Sequence, residues 1–334
     1  DGVHLTRHYV HSSCTGTRTA CQSGRFPVHV QTSLKNPEDP SSGMPRNMTG
    51  LGEQMQRAGY KTHYVGKWDV GMASPKHTPK GRGYGSSLNY FEHKNDFWTQ
   101  RCYQSACCQR FHSRHQSGRG FKHHWEGPMP EKFEKFNITD LWDTDQPAGD
   151  LNGTDYEEFI FLRRMLDIID DHNLSEPIFL FYAPHIAHCP LQVPQNYLDR
   201  FNFIENDTDM CKDQTPNILP PSDTPQPQYS CRRQYRSMVA VLDDIIGNVT
   251  TRLRDRGMWD DTLVIFTSDN GGPIGLLESG ATNFPLRGGK YSDFEGGVRA
   301  VAFASGGYLP PDMRGVTRSE PIHIADWYAT LPFL

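Results

Sequence analysis

The chain has 334 residues and a formal net charge of −5, with 36% hydrophobic and 11% aromatic residues. That length and composition suit a folded globular protein with a large core and exclude a disordered one. The mild acidity gives no sign of a nucleic-acid or membrane partner, and no apolar run approaches the length of a transmembrane helix.

Asp1-Gly-Val-His reads as mid-fold sequence, so the N-terminus is expected to be processed or to lie upstream. The segment Cys14-Thr-Gly16-Thr17-Arg18 to Ser23-Gly24-Arg25 comes first, with a cysteine and an arginine four positions apart. Thr62–Trp68 is a short β-rich run. Residues 103–150 are rich in His, Arg, Gly and Lys and then acidic, and are expected to form a surface loop insertion. His112, His115, His123 and His124 fall there and read first as part of a solvated insertion, with binding of a metal or an anionic polymer as the alternative. Residues 155–172 place Phe159, Leu162, Met165, Leu166 and Ile169 at helical spacing. Pro177–Ala183 is a continuous apolar run, as in a buried parallel strand. Residues 205–230, rich in Pro, Asp and Gln, form a second expected surface loop. A helix is expected over 233–256, with Gly257 as its stop. Strands are expected at Thr262–Thr267 and Val298–Ala304. Helices alternating with such strands argue for an α/β sandwich around a mostly parallel sheet.

Six Asn-x-Ser/Thr sequons, at Asn47, Asn137, Asn152, Asn173, Asn206 and Asn248, point to a glycoprotein of the secretory pathway, whether secreted, lysosomal or at the cell surface. The eight cysteines agree with an oxidising compartment. Cys102, Cys107 and Cys108 lie in one loop, and Cys211 and Cys231 flank the Pro-rich one. Both groups read as local staples.

In open α/β sheets the functional loops follow the C-terminal ends of strands. Polar clusters sit there: Gly66-Lys67-Trp68-Asp69, His185-Ile-Ala-His188 and Asp269-Asn270-Gly-Gly. Asp269 and Asn270 offer a carboxylate and an amide oxygen, suited to Ca²⁺ or Mg²⁺. Lys67 and Lys290 adjoin glycines that let backbone and ammonium approach an anion. His188 has the chemistry of a general acid, and Arg18 can donate charge-assisted hydrogen bonds. Read singly, each also fits a turn, a surface lysine or a packed histidine.

Taken together, these segments resemble the type I sulfatases, most closely their arylsulfatase B members. The resemblance rests on the Cys14–Arg25 segment, Val65-Gly-Lys-Trp68, Phe179–Ala183 followed by His188-Cys-Pro190, Ser268-Asp-Asn-Gly-Gly272, Pro285-Leu-Arg-Gly-Gly-Lys290, Glu295-Gly-Gly-Val-Arg299 and His323-Ile-Ala-Asp-Trp327, in family order. It implies an alkaline-phosphatase-like α/β sandwich, with residues 1–334 as a sulfatase-type catalytic domain. The family's N-terminal metal-binding strand and smaller C-terminal subdomain are expected to lie outside this chain. The implied activity is hydrolysis of sulfate esters, on a sulfated small molecule or glycan. Cys14 would be the precursor of a formylglycine nucleophile and a metal ligand once modified. Arg18 would steady it, Lys67 and Lys290 would bind sulfate, His188 and Lys290 would lie near the leaving oxygen, and Asp269 and Asn270 would hold Ca²⁺ or Mg²⁺.

The chain departs from the family pattern at Gly16, where a proline is usual, at Thr17 for Ser, at Ser23 for Thr, and at Asp69, where the family has His. Asp69 is read either as a replacement metal ligand or as a partner of Lys67 or Lys290. The departures leave a second function open: an inactive sulfatase-fold secreted glycoprotein with a binding or structural role and extracellular protein partners.

Overall fold

The computed structural model describes residues 2–30, 43–101, 140–204, 230–274 and 280–334. The apolar runs form its central strands. β1 (Val3–Leu5) and β2 (His8–Tyr9) precede β3 (Lys61–Lys67) and β4 (Ser86–Tyr90). β5 (Trp142–Asp143), β6 (Gln146–Pro147), β7 (Ile178–Ala183) and β8 (Val264–Thr267) follow. β9 (Arg299–Ala300), β10 (Ala302–Ser305), β11 (Thr317–Arg318) and β12 (Ile322–His323) close the series. The longer helices are α1 (Cys14–Ser23), α2 (Leu51–Arg57), α3 (Glu157–Asp171) and α4 (Cys231–Asp255).

Among the described residues three sheets form, ordered β6-β5-β4-β3-β7, β11-β1-β10-β8 and β12-β2-β9. β7, β3 and β4 are parallel, so their C-terminal ends open on one side of the molecule. β3 alternates its side chains between two layers. Val65 joins a core with Leu88, Phe161, Met165, Met238 and Val241 under α3 and α4. Tyr64 packs the other way, with Trp68, Tyr84 and Phe181. A third cluster, with Ala20, Leu51 and Met55, seats α1 and α2. Helices thus cover both sheet faces, as the alternating pattern implies.

Gly66 lets β3 and β7 close tightly just before Lys67. Its φ is +104°, and a Cβ there would lie 2.1 Å from the Ala183 carbonyl oxygen. No other residue type fits that crossing without moving a strand.

The run expected as one strand over Val298–Ala304 is two. Ala300 and Ala302 are buried, while Val301 between them is exposed. The bend lets β9 pair with β2 and β10 with β1 and β8. The expected loop over 103–150 needs a similar correction. Residues 102–139 lie outside the described residues, but 140–150 fold onto the sheet. Their β5–β6 hairpin adds to β4, and Leu141 and Ala148 are buried. Backbone pairing at a sheet edge made this possible in a segment too polar and short to read as a strand. Residues 205–229 of the other expected loop, together with Cys102, Cys107, Cys108, Cys211 and the four histidines of 112–124, also lie outside the described residues. Ser230 is instead the buried N-cap of α4, its Oγ accepting the Arg233 N–H at 3.1 Å.

Candidate active site

The site begins at the N-terminus of α1. Ser13 is the extended N-cap, Cys14 is the first helical residue, and Gly24 ends the helix with φ +66°. The Cys14 Sγ lies 3.4 Å from Asn270 Oδ1 and 3.2 Å from Lys290 Nζ. One turn on, Arg18 donates from Nε and Nη2 to Asp269 Oδ2 at 3.1 and 3.0 Å, and from Nη1 to the Lys67 carbonyl at 2.7 Å. The buried Thr17 ties the helix to the end of β8, its hydroxyl donating to the Asp269 carbonyl and accepting the His11 N–H. Burial alone would raise the Asp269 pKa, but Arg18, Lys67 and Lys290 hold it below the ordinary carboxylate range.

Cys14 and Cys21 are both free. They sit seven positions apart on one helix, about 10 Å along its axis. That exceeds the ~7 Å Cα separation a disulfide can span. Gly16 packs against His11 and Pro27, and a Cβ there would meet the His11 Cβ at 3.2 Å. The departure at 16 therefore coincides with a tight helix-to-loop contact.

Two residues past β3 lies Asp69, fully buried and at φ +54°. Its Oδ1 accepts from Thr15 Oγ1 at 3.1 Å and faces His93 Nδ1 at 3.0 Å. Its Oδ2 is 3.4 Å from Lys67 Nζ. Burial would raise the Asp69 pKa, and His93 and Lys67 outweigh it and lower it. The carboxylate that the sequence offers as a replacement metal ligand is thus engaged by Thr15, His93 and Lys67. Pairing with Lys67, one of the partners read for Asp69, is formed. Lys67 Nζ is buried and makes no hydrogen bond among the described residues.

The loop after β7 brings in His188. Its Nδ1 is 2.8 Å from the Cys189 carbonyl, so Nδ1 carries the proton and Nε2 the lone pair. Burial, with Lys290 and Lys67 nearby, drives its pKa well below the ordinary value. A buried pair of glutamates at the start of α3 pins this loop. Glu158 accepts the His185 and Ile186 N–H groups at 2.7 and 3.0 Å and is bonded to the Tyr182 hydroxyl. Glu157 faces His185 Nδ1 at 2.8 Å and accepts from Asn95 at 2.6 Å. Burial raises both glutamates, Glu158 to about 7.

The structure therefore brings together Cys14, Arg18, Lys67, Asp269, Asn270 and Lys290, with His188 placed near both lysines. Glu157, Glu158 and His93 were missed by the sequence reading. Adjacent acids opening an apolar helix were the available signal for the first two. Nothing in the sequence marks His93, which meets Asp69 only because the exits of β3 and β4 run side by side.

The donor set at the end of β8 fits a hard cation in chemistry but not in number. Asp269 and Asn270 supply a carboxylate and an amide oxygen beside position 14, whereas Ca²⁺ or Mg²⁺ takes about six or more ligands. Among the described residues no group of three His, Cys, Asp or Glu side chains could hold a metal.

Residues 1–332 match the family model described as Sulfatase. The chain belongs to the sulfatase family. This sulfatase is 29% identical to mouse arylsulfatase J over 334 residues, 99% of the chain and 46% of that protein. It is 26% identical to human N-acetylgalactosamine-6-sulfatase over 303 residues, 87% of the chain and 47% of that protein. The chain thus spans about half the length of the curated relatives it matches. Among solved structures, that of Ps i-CgsB in complex with k-i-k-neocarrahexaose superposes with a TM-score of 0.75 at 24% identity, covering 99% of this chain and 64% of that one. This likeness supports the alkaline-phosphatase-like sandwich. Sulfatases generally use formylglycine and a divalent metal.

Proposed function

We propose that this protein hydrolyses sulfate esters, with position 14 as the nucleophile. The observation that carries the reading is the convergence on Cys14 of Lys290, Asn270 and, through Asp269, Arg18. Cys14 is the residue that would carry formylglycine, whose hydrated aldehyde would supply the nucleophile. Asp269 and Asn270 are the residues that would hold Ca²⁺ or Mg²⁺, which supplies Lewis-acid charge stabilisation.

The chain's own residues do the rest. Lys290 and the Lys67 ammonium, which is ion-paired to Asp69 but donates no directed hydrogen bond among the described residues, bind the non-bridging oxygens as preorganised charge at the reacting group. Arg18 fixes Asp269 and the Lys67 carbonyl, and so the relative placement of α1, β3 and β8. Burial and the two lysines favour neutral His188. A bound sulfate anion offsets the lysine field and lets Nε2 hold the proton for the leaving oxygen.

A sulfated glycan as substrate is supported by the likeness to N-acetylgalactosamine-6-sulfatase and by exposed aromatic residues on the segment around Lys290. Phe284 is 90% exposed on the segment that brings Lys290, and Tyr291 and Phe294 are about half exposed. Such faces suit a sugar ring of a sulfated glycan. Phe284→Ala is expected to raise KM for a sulfated oligosaccharide about three- to tenfold with kcat unchanged. An equal KM for a small aryl sulfate in both forms would assign the effect to the sugar.

A secretory location is supported by the exposed sequons at Asn47, Asn173 and Asn248 and by Cys231, which is disulfide-bonded. Asn152 is half-buried, and Asn137 and Asn206 lie outside the described residues. No described helix is long and apolar enough to cross a membrane.

The Lys67–Asp69 pair favours the second reading, a scaffold that binds sulfated ligands without turnover. Mass spectrometry of the Cys14 peptide from secreted protein, with an aryl sulfate assay on the same sample, separates the two. Formylglycine with turnover is the expected result; an unmodified cysteine with none overturns the enzyme reading.

A further inference from the structure

We propose that His93 is a positioning residue of the anion site: by engaging one oxygen of Asp69, it sets how much of the Lys67 charge stays available to a bound sulfate. The proposal rests on the sulfate-site reading above. Asp69 is completely buried, and its two oxygens face different cations. Oδ1 is 3.0 Å from His93 Nδ1 and also accepts from Thr15, while Oδ2 is 3.4 Å from Lys67 Nζ. The Lys67 ammonium makes no directed hydrogen bond among the described residues, so it neutralises Asp69 only through space.

The arrangement is built into the fold. Trp68 N–H donates to the Tyr90 carbonyl at 2.9 Å, and Asp69 N–H to the Phe91 carbonyl at 3.3 Å. These bonds continue the β3–β4 pairing past the strand ends and bring positions 69 and 93 together. Asp69 is held at φ +54°, a conformation that a non-glycine residue adopts only when its surroundings impose it. The His93 side chain is 52% exposed while Asp69 is 0% exposed, so the imidazole links a buried carboxylate to solvent.

The charge balance gives the consequence. Lys67 and Asp69 cancel, so the three side chains are neutral together with His93 unprotonated and carry one positive charge with it protonated. Asp69 raises the His93 pKa against the effects of burial and of Lys67, and Glu92 adds to the rise. The other charged groups in this surround are Arg18, which acts on Asp69, and Asp140, whose carboxylate accepts the Phe91 and Glu92 N–H groups. Glu92 itself is raised to about 7, chiefly by burial, so it needs its own control. Sulfate stays a dianion throughout the neutral range. Its affinity therefore falls as pH rises through the titration of His93.

NMR titration of ¹³C-labelled histidine first locates the His93 titration, and sodium sulfate binding to the full chain is then measured calorimetrically at one pH below it and one above it. The dissociation constant is expected to rise roughly tenfold between the two pH values, as loss of one nearby charge implies. His93→Gln should bind at the lower pH as weakly as the parent does at the higher one and lose the slope. His93→Lys, a permanent cation, should bind tightly at both. Glu92→Gln should keep the slope. In Asp69→Asn, the His93 titration should move down towards the ordinary imidazole value. An unchanged slope in His93→Gln, an unmoved His93 titration in Asp69→Asn, or no sulfate binding at either pH overturns the proposal. A failure to find formylglycine or turnover would overturn the enzyme reading but leave these binding curves as they are.

Discussion

Arg18→Ala is expected to destabilise the fold by about 3 kcal/mol and to cut sulfate-ester hydrolysis by roughly a hundred- to a thousandfold. The Arg18 and Asp269 side chains are 13% and 27% exposed. Removing the guanidinium leaves a mostly buried carboxylate unpaired and strips a donor from the Lys67 carbonyl. Breaking a buried pair by deleting one partner costs about 3–5 kcal/mol. The residual exposure of Asp269 sets the effect at the lower end. Arg18→Lys should recover little of it, because one ammonium cannot serve a carboxylate and a carbonyl in separate directions. Urea midpoints of Arg18→Ala, Asp269→Asn and the double variant, read as a cycle, isolate the pair. A coupling energy near zero would mean that Arg18 does not hold the two strand ends together. The loss of activity follows from the same bonds. α1 carries position 14 and Arg18 itself, and Arg18 reaches the Lys67 carbonyl at the end of β3 and Asp269 two residues past β8.

The sequence showed the outline of this site because its parts lie where strand ends meet short polar motifs. Apolar runs at 177–183 and 262–267 are long enough to read as strands, and His188, Asp269 and Asn270 after them lie near Lys290, Arg18 and Cys14 respectively. The helical stripes over 155–172 and 233–256 were equally legible, since a 3.6-residue period survives in any buried amphipathic helix. What stayed hidden depends on contacts far apart in the chain. α1 is nearly all buried and carries small polar residues, so it has no stripe to read. The β5–β6 hairpin is held by backbone pairing at an edge, which side-chain patterning does not report. Asp69 was recognised as a departure, but its partner His93 is 24 positions away in sequence and is set by the β3–β4 register.

Glu158→Gln is expected to leave stability unchanged near pH 5 and to raise it by about 2–3 kcal/mol relative to the parent near pH 8. Glu158 is fully buried, and burial raises its pKa to about 7 in the folded chain. A carboxyl group raised above its unfolded value, about 4.5, binds its proton more tightly when folded. Its contribution is fully present below that value and is lost as pH rises through about 7. One Glu158 oxygen accepts the His185 and Ile186 N–H groups, and the other accepts the Tyr182 hydroxyl. In glutamine the amide oxygen keeps the two N–H bonds and the Tyr182 hydroxyl turns to accept from the amide nitrogen, with no charge to bury at any pH. The buried His185 titrates in the opposite sense. Its pKa is depressed, so its contribution is lost as pH falls below the ordinary value of 6.5. Glu92, raised to about 7, and Glu157 and His93, also raised, titrate in parent and variant alike, so the parent-minus-variant difference at each pH isolates Glu158. A glutamine variant that is destabilised equally at pH 5 and pH 8 would show that the carboxylate, rather than the acid, holds the loop. The consequence reaches the active site because the His188 N–H bonds back to the His185 carbonyl at 3.0 Å, within the turn that Glu158 pins. A neutral Glu158 keeps that turn closed most firmly in mildly acidic surroundings, the same direction in which protonated His93 leaves the Lys67 charge free for sulfate.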